Sequence, residues 1–160
     1  MNTTSLLLIL GGLAAALLVY LMIPKAVDLP DTYAACPVTI PNGNVPPGED
    51  GTASQGYHGK DGIWTVLWPD GKVMIPELNV DDDGWMGTKW PWWRTQDPIE
   101  ISGYYLGGKA APLEASLPDG YGESGFRPSG LRFSTEGCWE IMATSGGAML
   151  TFIQWVEIER

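Results

Sequence analysis

Residues 89–94, KWPWWR, place three indole side chains between two cations. An indole can stack on a sugar ring or on a partner's side chain, and a guanidinium can lie across its face. Successive side chains of a strand point to opposite faces, so Trp90 and Trp92 share one face while Trp93 takes the other. One buried face therefore leaves at least one indole at the surface. We expect contacts with a ligand or partner from Trp90, Trp92, Trp93 and Arg94. The alternative is that all three indoles pack into the core and its rim.

A second candidate site lies in NVDDDGW, residues 79–85. Asn79, Asp81 and Asp83, followed by a glycine, match the start of a calcium-binding loop, in which oxygen ligands occupy alternate positions. The twelfth position of such a loop needs a bidentate glutamate, and here it is Trp90. The match to an EF-hand therefore fails, and the sequence favours an acidic, solvated turn. A calcium site on another scaffold is the weaker alternative.

Catalytic chemistry has few candidate groups in this chain. The one histidine, His58, lies in a loop-like stretch where we expect it to be solvated, and the chain contains neither a GxSxG nor an HExxH motif. A glycoside hydrolase needs only two carboxylates, so a pair of glutamates stays open. The glutamates concerned are Glu100, Glu114, Glu123, Glu136 and Glu140. The sequence therefore predicts a protein that is not an enzyme and uses no cofactor, with a glycan-active hydrolase as the weaker alternative.

The balance of charges bears on the possible partners. The formal net charge is −10, from 19 acidic and 9 basic residues. An acidic surface repels the phosphates of nucleic acids and the headgroups of anionic lipids. We therefore expect no nucleic-acid partner, and solubility is the simplest role of the acidity.

Two cysteines, Cys36 and Cys138, lie near the two ends of the region that we expect to fold. A single pair with no leftover thiol is typical of one disulfide formed in an oxidising compartment. Closing a loop of about 100 residues would stabilise the fold by roughly 4 kcal/mol in the chain-entropy model. Two buried free thiols are the alternative. A zinc site is not expected, because the chain has one histidine and no CxxC motif.

The N-terminal region contains a long apolar segment. Residues 5–23, SLLLILGGLAAALLVYLMI, are uncharged and almost wholly apolar. A helix of this length spans about 28 Å, close to the thickness of a bilayer's hydrocarbon core. We therefore expect a transmembrane signal anchor at 5–23, after a short tip at 1–4 and before a linker at 24–35. The folded domain then occupies residues 36–160.

Two alternatives to the anchor stay open. A signal peptide would be removed after export, although its apolar core is usually about 7–15 residues long and follows a basic segment. A lipoprotein would use Tyr33-Ala34-Ala35-Cys36 as its lipidation motif, which would leave Cys138 unpaired. Lys25 weakly favours a cytoplasmic domain, whereas the cysteine pair and the tryptophan-rich composition favour an extracytoplasmic one. We expect a single-pass protein of the cell membrane with an extracytoplasmic domain, and a secreted protein or a lipoprotein otherwise.

Apolar runs separated by glycine- and proline-containing turns predict an all-β fold. Residues 62–68 and 72–75 flank a Pro-Asp-Gly turn and predict a hairpin, and Ser145-Gly146-Gly147 predicts another between the last two strands. Further strands are expected at 84–94, 99–106, 113–117, 130–134, 138–144 and 148–158, and a long loop at 41–62. Short strands at this spacing indicate an antiparallel β-sandwich, which we expect to be immunoglobulin-like, or otherwise a barrel.

Several short blocks together resemble a family of exported or membrane-anchored bacterial proteins. The blocks are WPWWR (90–94), IEISGYYL (99–106), GYGESGF (120–126), SGLRF (129–133) and GCWEI (137–141), and the resemblance covers roughly residues 36–158. It implies an extracytoplasmic β domain behind a signal or an anchor. No reaction is known for that family, so the resemblance assigns no catalytic residues.

These features combine into one expected function. The chain is predicted to be a membrane-anchored, extracytoplasmic β-sandwich that acts as a non-catalytic binding or scaffolding module, for example as an accessory subunit of a membrane complex. The alternative is a carbohydrate- or cell-wall-binding module that uses exposed tryptophans. The expected partners are accordingly the membrane, through the N-terminal helix, and either a membrane protein or a cell-wall glycan.

Overall fold

The structure, a computed structural model, describes residues 30–51 and 56–160. Within these residues the chain forms two β-sheets, consistent with a β-sandwich, and the prediction of an all-β fold is confirmed. The strands are β1 (Tyr57–Lys60), β2 (Ile63–Val66), β3 (Lys72–Pro76), β4 (Met86–Arg94), β5 (Ile99–Tyr105), β6 (Glu114–Ser116), β7 (Gly125–Phe133), β8 (Gly137–Ser145) and β9 (Ala148–Glu159). Two short 3₁₀ turns lie at Tyr33–Ala35 and Glu77–Asn79.

The strand order defines the two layers. One sheet has the order β1-β2-β4-β7-β6 and the other the order β3-β9-β8-β5. All neighbours are antiparallel except β3 and β9, which run in the same direction. The expectation of a purely antiparallel sandwich is therefore wrong at this pair. The chain changes sheets between β2 and β3, and this brings β3 alongside the last strand.

One predicted hairpin is confirmed and the other is wrong. Strands β8 and β9 pair up to Ser145 and Ala148, and the glycines between them have φ values of 55° and 84°, as a type I′ turn requires. The predicted hairpin at 62–75 does not form, because β2 pairs with β1 and β4 whereas β3 pairs with β9. Gly71 in that turn has a φ of 74°, and a Cβ atom on it would lie 2.5 Å from the Cβ of Val38. The turn therefore carries the chain from one sheet to the other.

The core lies between the two sheets and is rich in aromatic rings. Its largest fully buried side chains are Trp90, Trp92, Trp139, Phe133 and Phe152. The ring of Phe152 lies 5.8 Å from that of Trp90 and 6.0 Å from that of Trp92, measured between centroids. Aromatic rings at such separations add to the stabilisation that burial alone provides.

The predicted disulfide is confirmed. Cys36 and Cys138 are joined, with their Cα atoms 5.6 Å apart and a sequence separation of 102. Cys138 lies on β8 opposite Trp155 of β9, on the side of the four-stranded sheet that faces away from the core. The ring of Tyr33 meets that of Trp155 edge to face at 6.2 Å. The end of the predicted linker is thus attached to the outer face of the four-stranded sheet.

The predicted tip at 1–4, the anchor at 5–23 and most of the linker lie outside the described residues. Among residues 30–51 and 56–160, no helix is long and apolar enough to cross a bilayer. Most of the domain predicted at 36–160 lies within the described residues, and its bounds stay a prediction.

The loop predicted at 41–62 contains strand β1, and this changes the surroundings of His58. His58 pairs with Thr65 of β2, and its ring meets that of Phe152 edge to face at 6.4 Å. Its Nδ1 atom is buried without a hydrogen-bond partner among the described residues, and burial lowers the pKa of the imidazole. The expectation of a solvated histidine is therefore wrong.

Candidate functional site

Two of the predicted contact residues belong to the core. Trp90 and Trp92 have 0% exposed surface. The Trp90 indole Nε1 donates to Thr65 Oγ1 at 2.7 Å, and the Trp92 Nε1 donates to Ser129 Oγ at 2.9 Å. Both indoles lie on the same buried face of β4, as the alternation of side chains along a strand predicts. The Nε1 atom of each one has a hydrogen-bond acceptor inside the protein. They offer no surface to a ligand, which corrects the expectation of a contact platform at these two positions.

Pro91 shows how the proline between these indoles fits into a central strand. Prolines favour edge strands because they lack an N–H donor, yet β4 is the middle strand of five. Pro91 lies opposite Pro128 of β7, and since neither residue has a backbone N–H, the pair leaves no N–H group without an acceptor. On the other side the ladder with β2 ends at Thr65 and Trp92, and the Thr65 hydroxyl donates to the Pro91 carbonyl at 2.8 Å. A side chain thus replaces the next hydrogen bond of the ladder.

Arg94, the third predicted contact residue, is also buried, with 2% exposed surface. Its Nε donates to Asp97 Oδ1 at 2.6 Å, its Nη1 donates to the Gly125 carbonyl at 2.9 Å, and its Nη2 donates to the Gly122 carbonyl. The hydrogen bond from Arg94 lowers the pKa of the Asp97 carboxyl, so Asp97 is ionised at neutral pH. Arg94 therefore fixes the loop before β7 instead of reaching into solvent.

Trp93, the remaining predicted residue, lies on the outer face of the five-stranded sheet in a row of aromatic side chains. The register places Trp64 of β2, Trp93 of β4 and Phe126 of β7 side by side. The Trp93 and Phe126 rings meet edge to face at 5.4 Å, and Tyr121 meets Phe126 in the same way at 6.2 Å. Trp93 and Trp64 are partly exposed, while Phe126 is 45% exposed and Tyr121 is 40% exposed. We call Trp64, Trp93, Phe126 and Tyr121 the aromatic row.

The local sequence holds both indoles of the row in place. A Cβ atom on Gly59 would lie 2.6 Å from Cδ1 of Trp64, so Trp64 lies directly over a glycine on the neighbouring strand. The Trp93 Nε1 donates to Glu49 Oε1 at 2.7 Å, and the Tyr57 hydroxyl lies 3.3 Å from Glu49 Oε2. Burial and the nearby Glu49 carboxylate raise the pKa of Tyr57, which keeps its hydroxyl protonated as a donor. The indole of Trp93 is therefore oriented by a loop that crosses the sheet.

A cleft of two adjoining chambers opens beside the aromatic row. The aromatic chamber has a volume of about 280 Å³ and is lined by Pro47, Trp64, Trp93, Arg94, Thr95, Ser124 and Gly125. The polar chamber has a volume of about 460 Å³ and is lined by Thr95, Gln96, Asp97, Glu123 and Ser124. Thr95 and Ser124 line both chambers. An apolar surface with a few convergent polar groups is the usual composition of a small-molecule site.

In the candidate calcium loop, the carboxylate of Asp81 is already engaged in contacts within the protein. Asp81 Oδ1 accepts hydrogen bonds from the backbone N–H groups of Asp83 and Trp85, at 3.1 and 2.9 Å, and Oδ2 pairs with Arg132. The hydrogen bond from Arg132 is the main cause that lowers the pKa of Asp81. Asn79 ends the turn at Glu77–Asn79. In the described part of the chain, no three His, Cys, Asp or Glu side chains are grouped closely enough to hold a metal ion.

The predicted glutamates do not converge. Glu114 pairs with Arg132 on the five-stranded sheet, Glu136 pairs with Arg160, and Glu140 accepts from the Tyr104 hydroxyl on the four-stranded sheet. Glu100 lines a separate surface depression on the outer face of the four-stranded sheet. Of the five, only Glu123 lines the cleft.

Of the residues predicted to contact a ligand or partner, Trp93 and Arg94 line the aromatic chamber, whereas Trp64, Phe126 and Tyr121 were not predicted. The signal that could have found Trp64 is its alternation with buried Ile63 and Thr65, which places it on the outer face. No family model, curated protein or solved structure matches this chain. The geometry of the cleft is therefore the basis for assigning a function.

Proposed function

We propose that this protein is a non-catalytic glycan-binding module and that its ligand occupies the cleft beside the aromatic row. The observation that carries the proposal is the pairing of an aromatic chamber at the outer face of the five-stranded sheet with a polar chamber lined by the loops after β4 and before β7. A pyranose ring has an apolar face of C–H groups and a rim of hydroxyl groups. The two chambers match these two properties.

The polar groups of the cleft suit a ligand rich in hydroxyl groups. Asp97 is ionised and its side chain is 29% exposed, so its carboxylate can accept hydrogen bonds from a ligand. Glu123 supplies a second acceptor, and no described residue accepts from the indole N–H of Trp64. Buried or half-buried hydrogen bonds of this kind orient a ligand, while the contact with the rings excludes water.

The order of the strands supports an immunoglobulin-like topology. Omitting β1 and β3, the remaining strands in chain order correspond to A to G, and the sheet orders β2-β4-β7-β6 and β5-β8-β9 then read A-B-E-D and C-F-G. Strand β1 adds an edge to the first sheet and β3 adds one to the second. We infer that the domain is an immunoglobulin-like sandwich with these two additions.

The proposed location is outside the cytoplasm, on an N-terminal anchor. The disulfide favours an oxidising compartment, and the apolar run at 5–23 has the length of a membrane span. The linker is attached to the four-stranded sheet through Cys36 and Tyr33, whereas the cleft is on the five-stranded sheet. This arrangement leaves the cleft open to a ligand while the chain is anchored.

The two other predicted functions have less support. A glycan hydrolase would need a general acid in the cleft, but the lowered pKa of Asp97 suits an acceptor and not a proton donor. Docking to a membrane complex would need an apolar patch. Outside the aromatic row, the exposed apolar side chains of the described residues include Ile40, Met74, Leu78 and Met149, and exposed apolar side chains are common on protein surfaces.

Replacing Trp93 by alanine is expected to weaken glycan binding about 30-fold, because a central aromatic contact is commonly worth about 2 kcal/mol. The measurement is retention of purified protein on an array of immobilised glycans, followed by titration calorimetry on the glycan retained best.

The matched control is Tyr104→Ala. Tyr104 is 52% exposed and lies on the outer face of the four-stranded sheet, and we expect this variant to bind like the unaltered protein. Equal binding by Trp93→Ala and the unaltered protein would show that the cleft is not the site. Retention on no glycan would contradict the function itself.

A further inference from the structure

Strand β1 holds both indoles of the aromatic chamber. Gly59 lies under Trp64, where a Cβ atom would come within 2.6 Å of the indole Cδ1. The ring of Tyr57 meets that of Trp93 edge to face, with 5.2 Å between centroids. The Tyr57 hydroxyl lies 3.3 Å from the carboxylate of Glu49, which accepts the Trp93 indole N–H. Displacing β1 would therefore release both indoles from their positions.

The same strand holds a wall of the chamber. Residues 42–49, which we call the capping segment, lie against the free edge of β1. Asn42 accepts from the Gly59 N–H at 3.2 Å and donates to the Gly59 carbonyl at 3.0 Å, and the Asn44 amide donates to the same carbonyl at 3.0 Å. These side chains take the place of a neighbouring strand at an edge that would otherwise be open. Because Pro47 lines the aromatic chamber, this wall is attached to β1.

His58 lies between Tyr57 and Gly59, and its side chain is on the opposite, inward face of β1. It pairs with buried Thr65 of β2, and its ring meets that of Phe152 edge to face. The imidazole is half-buried, and its Nδ1 atom is buried without a partner among the described residues. A doubly protonated imidazole carries an N–H on both nitrogens. Protonation would therefore place a charged donor with no acceptor inside the sandwich, which is unfavourable.

The described surroundings of His58 offer no negative charge to a second proton. The inward side chains of β2 and of the neighbouring part of β9 are uncharged; they are Ile63, Thr65, Leu150, Phe152 and Gln154. Lys60, on the same face of β1, is itself a cation and lies 4.0 Å from Asp61. The carboxylates of Glu49 and Asp50 act on Tyr57, on the outer face. Residues 52–55, which precede β1, contain no ionisable side chain.

The effect of pH on β1 has a definite sign. Burial lowers the pKa of His58, so the neutral imidazole is favoured while β1 is in place and the imidazolium is favoured once β1 has separated. The contribution of His58 to the stability of β1 is therefore fully present above the ordinary pKa of about 6.5 and falls as the pH drops below it. His58 is the only histidine of the chain, so no other side chain has an ordinary pKa in this range.

From the inward position of His58, its buried Nδ1 and the attachment of the chamber wall to β1, we propose that protonation of His58 releases β1 together with the capping segment and so opens the aromatic chamber in acid. This regulation acts on the cleft, and its consequence for a glycan rests on the proposed function. Strand β1 has four residues and lies at the edge of its sheet. Short elements at an edge can separate locally while the core stays folded.

The test measures hydrogen exchange of the full chain by mass spectrometry at about pH 7.5 and about pH 5.5, corrected for the intrinsic effect of pH on exchange. We expect the protection of β1 and the capping segment to fall at the lower pH by a factor between about two and about ten, since one proton contributes at most about tenfold over one pH unit. At both pH values β1 should be at least about tenfold less protected than β8, because it opens locally.

Two variants show whether His58 is the group that titrates. His58→Gln removes the titratable ring, and His58→Phe removes it while keeping a ring against Phe152. We expect β1 to have the same protection at both pH values in each variant. The second variant keeps the test decisive if the loss of the ring in the first one disturbs the fold.

A further measurement tests the coupling between β1 and the chamber. The glycan that the array retains best is added to the unaltered protein at about pH 5.5. A glycan that needs the closed chamber stabilises the state in which β1 is paired, so the protection of β1 should rise with the glycan concentration.

The outcomes separate this inference from the function of the cleft. Unchanged protection of β1 between the two pH values, an equal fall in the His58→Phe variant, or protection of β1 equal to that of β8 overturns the release of β1 and leaves glycan binding intact. A glycan that binds without raising the protection of β1 overturns the coupling to the chamber. Retention of no glycan contradicts the proposed function alone, because exchange in the unligated protein decides the role of His58 by itself.

Discussion

Replacing both Cys36 and Cys138 with alanine is expected to lower the free energy of unfolding by about 4 kcal/mol. The disulfide closes a loop of 102 residues, and the chain-entropy model gives a long loop the largest effect on the unfolded chain. The disulfide also fastens the start of the domain to β8, in the middle of the four-stranded sheet. Denaturant unfolding at equilibrium measures the loss through the shift in midpoint.

The single variants Cys36→Ala and Cys138→Ala provide the control for this prediction. Each one breaks the same bond, so each should lose nearly as much as the double variant, and the three losses should be far from additive. Additive losses, or a double variant within about 1 kcal/mol of the unaltered protein, would show that the crosslink contributes little and that the two side chains act separately.

Replacing Trp92 with alanine is expected to cost about 4 kcal/mol. Trp92 is fully buried and packs against Phe152, so its removal leaves a cavity that a close-packed core can fill only in part. Ser129 Oγ, which accepts the Trp92 indole N–H at 2.9 Å, would also lose this donor. The measurement is again denaturant unfolding, with the disulfide intact in all variants.

The next residue of the same strand provides the matched control. Trp93→Ala removes the same side chain from the opposite, partly exposed face of β4, and we expect it to cost less than about 2 kcal/mol because solvent already reaches the ring. Of the two variants, Trp92→Ala should affect stability more and Trp93→Ala should affect binding more. Equal losses of stability would contradict the burial of Trp92 on one face of β4 and the partial exposure of Trp93 on the other.

Much of the fold is predictable because its signals are local. The alternation of Trp90, Trp92 and Trp93 assigns each indole to its correct face, and the Gly-Gly turn correctly predicts the hairpin of β8 and β9. The sheet change after β2 is not predictable in the same way. A Pro-Asp-Gly turn has the same local chemistry whether the strand after it pairs with the strand before it or crosses to the other sheet.

The strand β1 was missed for a different reason. Its four residues, YHGK, include a glycine and show no run of β-branched side chains, so nothing in them contrasts with the surrounding loop. The glycine is explained by Trp64, which lies over it. His58 is partly buried because β1 pairs with β2. This pairing is a tertiary effect and leaves no pattern in the local sequence.

The candidate site could be predicted only in part. Trp64, Trp93 and Phe126 are far apart in the sequence, and only the register of three strands brings them side by side. Arg94 was expected among the contact residues because a guanidinium can lie across an exposed indole. In the structure it lies beneath the cleft, because its hydrogen bonds to Asp97 and to the loop before β7 compensate for its burial.

The most direct test of glycan binding in the cleft follows the indole N–H signals of the tryptophans by nuclear magnetic resonance while the glycan retained on the array is added. The signals of Trp64 and Trp93 should shift with a single binding curve, while those of the buried Trp90, Trp92 and Trp139 should stay in place. A glycan that binds without moving the signals of Trp64 and Trp93 would contradict the assignment of the cleft as the site.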